Sequence, residues 1–132
     1  YGVPDQHTNF IGTSSAYLSV HPETARAFIV ASQRGYQYAI TNPDEATDIL
    51  VAANADALLD WDFVRASLQA LIDGDYLASE TGEVGTIDPA KMAAVGAFLF
   101  EAGMLKDGNG TMLTQMPDLD TYYSNDYLGN PP

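Results

Sequence analysis

The stretch "HPETARAFIVASQRGYQYAITNPDEATDIL", residues 21–50, decides the fold class. Pro22 stands at a first-turn position, where its missing N–H costs nothing. Glu23 follows where the positive end of the helix dipole favours an anion. Ala25, Phe28, Ile29, Ser32, Tyr36 and Ile40 recur at helical spacing and predict one long helix with those residues inward. Gly35 interrupts the pattern, which a close packing contact would explain. Asn42, Pro43 and Glu45 then supply cap, first-turn proline and capping-box acid for a second helix, with Ala46, Ile49, Leu50 and Ala53 as its buried stripe.

Downstream the helical signal continues. A third helix is predicted from about Asp60, with Trp61, Val64, Leu68, Leu71 and Ile72 inward and a stop at Gly74. Asp88-Pro89 repeats the cap-plus-proline pair for a fourth helix, where Met92, Val95, Phe98 and Leu99 face inward until Gly103. "KDGNG" reads as a loop, and "MPDLDTYYSNDYLGNPP" as a last short helical segment halted by two prolines.

Upstream the pattern changes. "YGVPDQHTNF" is turn chemistry, with Gly2, Pro4, Asp5, His7 and Asn9 crowded together. "NFIGTSSAYLSV", residues 9–20, mixes Phe10, Ile11, Tyr17, Leu18 and Val20 with small hydroxyl residues and predicts a strand. A lone strand leaves its backbone groups unsatisfied, and "TGEVGTID" offers at most one more short extended piece. The expectation is therefore an α/β fold class: mostly helical, with one N-terminal strand, and part of a larger unit.

Composition sets the outer limits. The chain has 132 residues, the length of one ordinary domain, and 46% of them are hydrophobic, enough for a core. Five Lys and Arg stand against eighteen Asp and Glu, a net charge of −13 that repels phosphate backbones and argues against nucleic acid as a partner. Such a surface suits a protein outside the cell and equally suits plain solubility. With no cysteine, disulfide scaffolds, thiolate zinc sites and cysteine nucleophiles are excluded together. No stretch approaches the length of a membrane span, and no secretory signal is visible.

No catalytic constellation emerges. His-Glu-x-x-His, Gly-x-Ser-x-Gly and a phosphate loop with its Lys are all missing, and Ser14-Ser15 has no neighbour to activate it. Asp56, Asp60 and Asp62 cluster before the third helix, where the helix dipole accounts for them. "DGNG", Asp107 to Gly110, lacks the alternating ligands and closing Glu of a calcium loop and reads as a turn. His21 precedes Pro22 at a helix start. His7, in the opening turn, is the histidine placed to hydrogen-bond a ligand. No catalytic residue, metal or cofactor is expected.

Four motifs in order carry a resemblance. Pro22-Glu23 opens a helix containing Ala31 to Tyr36, an Asn42-Pro43-x-Glu45-Ala46 helix follows, "EVGTIDPAKMAAVGAFLFEAGML" comes later, and "YYSNDYLGN" closes the chain with Ser124 where Thr is usual. With "YGVPD" at residues 1–5, the chain resembles the C-terminal part of solute-binding proteins of ABC transporters, the type II periplasmic-binding class. Its nearer branch takes sulfonates, nitrate and, above all, the pyrimidine precursor of thiamine, which is the ligand the resemblance implies.

The resemblance implies two α/β lobes, a small-molecule ligand in the cleft between them, and delivery to an ABC permease without covalent chemistry. Residues 1–20 would be the interlobe return segment and strand, and residues 21–132 the helical C-terminal part of the first lobe. It also implies an extracytoplasmic location, periplasmic or as a lipoprotein on the outer face. Tyr1, Asp5 and His7, nearest the hinge, become the expected ligand-binding residues, although Gln6 and His7 stand where the family often has an aromatic. A pyrimidine synthase of the same fold is the enzymatic alternative, and a free-standing helical interaction domain is the third reading. An exposed sheet face and edge would drive the chain to dimerise.

Overall fold

Each α-helix of the described residues opens on a proline, on a carboxylate or hydroxyl cap, or on both. In the computed structural model, which describes residues 2–7, 9–58, 60–79 and 82–129, about half of the chain is helical. The described residues contain no named strand, only two isolated antiparallel bridges, Ala78 with Val84 and Lys106 with Met112. The fold is α-rich. The chain divides into two compact units, one of Tyr1–Gly12 and Ile87–Asp126, the other of Thr13–Thr86 and Tyr127–Pro132.

In the larger unit the expected strand over residues 9–20 is replaced, from Ser15 onward, by a helix. α1 spans Ser15–Val20, and the Ser14 hydroxyl accepts the Tyr17 N–H at 3.1 Å. A serine before Ser-Ala-Tyr is a good cap, and this local bond outweighs the modest β preference of Tyr17 and Val20. From Ser15 onward the segment bonds as a helix, with Leu18 N–H on the Ser14 carbonyl at 3.1 Å, so the inference that a lone strand must pair elsewhere loses its premise. The sheet face from which self-association was expected does not form among the described residues either.

α2, Pro22–Thr41, begins where α1 ends, at His21, and is joined to α3, Pro43–Ala53, by the single residue Asn42. Asn42 makes no side-chain cap for α3. Its amide instead donates backward, to the Tyr38 carbonyl at 3.3 Å and the Thr41 hydroxyl at 2.9 Å, so it closes the helix it follows. The Tyr38 phenol is pushed up, first by hydrogen bonding with Glu45 and then by burial and the Glu45 charge. α4, Trp61–Asp73, starts on Asp60, whose carboxylate accepts the Phe63 N–H at 3.0 Å. The Trp61 indole N–H donates to Asp48 at 2.7 Å and Arg65 pairs with Asp44, tying α4 to α3.

α4 stops at Gly74 as expected, and the left-handed residue comes one position later. Tyr76 N–H reaches the Leu71 carbonyl at 3.0 Å and Asp75 N–H reaches Ile72 at 3.2 Å, the two bonds of a Schellman motif. Its left-handed residue is Asp75, at φ 55°, and not Gly74.

The inward side of α2 is centred on Gln33, which is buried, rather than on Phe28, which is 60% exposed. The Gln33 amide donates to the Val84 carbonyl and accepts from the Gly129 N–H, both at 2.8 Å. One side chain thereby joins α2 to Val84, itself bridged to Ala78, and to Gly129. Thr47, Val64 and Val84 complete the buried set of this unit. Ile49 and Leu50, expected inside, are exposed, and Gly35 has open space where a side chain would be.

In the smaller unit, α5 spans Pro89–Glu101 and packs against a 3₁₀ turn, Leu119–Thr121. Buried Gly96 makes the notch: a Cβ there would lie 2.3 Å from the tip of Leu119 and 2.8 Å from that of Met116. α5 closes with the same Schellman bonds as α4, Met104 to Leu99 and Gly103 to Phe100, each 2.9 Å, here with Gly103 left-handed at φ 65°. "DGNG" is the expected turn: the Asp107 carboxylate accepts the N–H groups of Asn109 and Thr111, both at 2.9 Å.

Candidate functional site

Two of the three ligand-binding residues expected from sequence, Asp5 and His7, come together at the N-terminal end of α5; Tyr1 lies outside the described residues. Asp88 caps that end with its carboxylate, which accepts the Ala90 N–H at 2.7 Å. Its own backbone N–H, one of the donors a helix start leaves unpaired, points away from the helix and donates to Nε2 of His7 at 2.9 Å. An imidazole nitrogen that accepts carries no proton, so the ring proton of neutral His7 resides on Nδ1. Phe10 meets the half-buried ring edge-on, with centroids 5.8 Å apart and planes at 74°.

One turn further along α5, Lys91 pairs with Asp5 at 2.7 Å. The hydrogen bond and charge of Lys91 hold the Asp5 carboxyl below the usual aspartate value. The pair is well exposed, so solvent screens most of its energetic worth. Behind the cap, the Asn125 amide grips the main chain of Ile87 twice, accepting its N–H and donating to its carbonyl, both at 2.9 Å. Tyr123 donates to Asp120 at 3.0 Å. Burial pushes the Tyr123 phenol up, and the Asp120 hydrogen bond and the charges of Asp120, Asp88 and Asp118 add to this.

The arrangement can recognise polar groups. Its functional atoms are a neutral imidazole with one N–H left to give, an ionised carboxylate and an ammonium. No group of three or more metal-ligating side chains occurs among the described residues. Lys91 and Asn125 were missed from sequence. Lys91 had one signal, as the sole cation in the first turns of a helix opened by Asp88-Pro89; Asn125, 38 residues from its partner, had none.

The segment carrying Asp5 and His7 falls within the match to a known family. Residues 1–46, about a third of the chain, match the family model described as NMT1/THI5 like. This agrees with the resemblance at the level of the family. No curated protein matches the chain. No helix among the described residues is long and apolar enough to cross a membrane.

Proposed function

We propose that the chain is part of a solute-binding protein of the type II periplasmic-binding fold. In this reading it captures a small polar solute in an interlobe cleft and delivers it to an ABC permease on the outer side of the membrane. The observation that carries the reading is the NMT1/THI5-like match over residues 1–46, which takes in the opening turn, α1, α2 and the start of α3. A thiamine-type aminopyrimidine is the proposed solute, and sulfonate or nitrate is the competing choice within the same fold. Asp5 would accept from exocyclic amino groups and His7 Nδ1–H would give to a ring nitrogen. The exposed apolar side chains Phe28, Ile49 and Leu50 would meet further residues of the fold.

The test is a thermal-shift series of the protein with an aminopyrimidine, an alkylsulfonate and nitrate. Ligand at about a hundred times its dissociation constant stabilises by roughly 2.7 kcal/mol, several degrees in midpoint. A shift with the aminopyrimidine alone supports the thiamine-precursor reading. A shift with the sulfonate or nitrate alone moves the assignment to that branch, and turnover of the pyrimidine would replace the receptor by the synthase. No shift with any of the three removes the proposed ligand class.

A further inference from the structure

We infer that the opening turn is an acid-released latch, in which neutral His7 holds the turn against the first turn of α5 and protonation of its Nε2 lets go. This rests on the described geometry of the smaller unit and not on the ligand reading.

The bond runs in one direction. A backbone N–H can only give, so the Asp88 N–H at 2.9 Å requires a lone pair on Nε2. An imidazolium has an N–H on both nitrogens and no acceptor. Protonated His7 would set a donor against a donor at a half-buried position, and the Asp88 N–H would lose its described partner. Histidine side chains as a class change charge between about pH 5 and 8, where ordinary aspartates remain ionised.

The surrounding charges keep the effect on His7. Asp5 flanks it in the turn, Asp88 donates to it from the cap of α5, and Lys91 pairs with Asp5; the charges of Asp88, Asp118 and Asp120 all act on Tyr123. Lys91 holds Asp5 ionised well below the histidine range, so the Asp5–Lys91 pair at 2.7 Å does not open over the same interval. The adjoining clamp, Asn125 on Ile87, contains no titratable group. Between pH 7.5 and 5, then, the tie of the turn that changes its chemistry among the described residues is the His7–Asp88 bond, and the neighbouring Ile87 N–H provides a built-in control.

The experiment is amide hydrogen exchange of the full 132-residue chain by NMR, with protection factors corrected for the intrinsic pH dependence of exchange. Protection of Asp88 N–H is expected to fall at least fivefold from pH 7.5 to pH 5, while that of Ile87 N–H changes less than twofold. In His7→Gln, whose Oε1 reaches where Nε2 lies and does not titrate, Asp88 protection is expected to be flat. The ring ¹⁵N shifts of wild-type His7 at pH 7.5 should show a protonated Nδ1 and a bare Nε2. A flat Asp88 profile in the wild type, an equal fall in His7→Gln, or a proton on Nε2 at pH 7.5 would each overturn the inference.

Discussion

Replacing Gln33 by methionine isolates what the buried amide does. Methionine has nearly the same length and fills the same space, so cavity formation stays small while both hydrogen bonds disappear. The carbonyl of Val84 and the N–H of Gly129, each 2.8 Å from the amide, are left without it. An orphaned buried backbone group costs about 1–3 kcal/mol, and allowing for partial burial the pair should cost about 2–4 kcal/mol. The gain from burying a thioether where an amide stood is smaller, because the site is already desolvated. Trp61, the sole tryptophan, belongs to the same unit and reports its unfolding by fluorescence. At a urea slope of about 1–2 kcal/mol per M, the midpoint should drop by roughly 1 M or more with little change in slope. A drop below about 0.3 M would mean that water satisfies both groups equally well. Gln33 would then be an ordinary helix residue and not the tie between three segments.

The two Schellman ends give opposite expectations. Asp75→Gly should stabilise by about 0.5–1 kcal/mol and Gly103→Ala should destabilise by about 1 kcal/mol, since only glycine holds a left-handed angle without Cβ strain; a less stable Asp75→Gly or a more stable Gly103→Ala in urea denaturation would contradict this. Val64→Ala should cost about 1.5–3 kcal/mol, because Val64 is buried. Arg65→Ala should cost under about 1 kcal/mol, because its partner Asp44 is 76% exposed. Reversal of that order would show that charge, not packing, joins α3 to α4. Asp5, with its folded value depressed by Lys91, adds stability that is fully present above the unfolded aspartate value near 4 and is lost as pH falls through the lower folded value. Lys91→Met should raise the Asp5 titration midpoint seen by carboxyl NMR, and an unmoved midpoint would eliminate Lys91 as its cause.

Helix starts were legible because their causes are local. Pro22, Pro43, Pro89 and the caps Asp60 and Asp88 act within three residues, so sequence alone places them. α1 was misread because Tyr17, Leu18 and Val20 suit either structure and the deciding bond, Ser14 to Tyr17, is a single side-chain contact. Which face of each helix lies inside was harder. Period 3.6 marks an apolar stripe without saying what covers it. On α2 the polar Gln33 proved to be the centre, and on α3 the buried residue is Thr47, whose hydroxyl returns to the Pro43 carbonyl at 2.7 Å. Of the site, Asp5 and His7 were visible as polar residues in a turn. Their partners were not, because His7 lies 81 residues from Asp88 and no local pattern encodes that distance.

The one-residue joint at Asn42 has a consequence for how the chain tolerates changes of length. Asn42 is the whole of the bend, at φ −133° and ψ 60°, so adding or removing one residue between Thr41 and Pro43 would redirect α3 relative to α2. Thr47 would leave the interior, and Asp44 and Asp48 would swing away from Arg65 and Trp61. Natural variation in length, and any inserted tag or reporter, should accordingly be found in the Asp107–Gly110 turn, whose bonds close on themselves, and be absent from position 42.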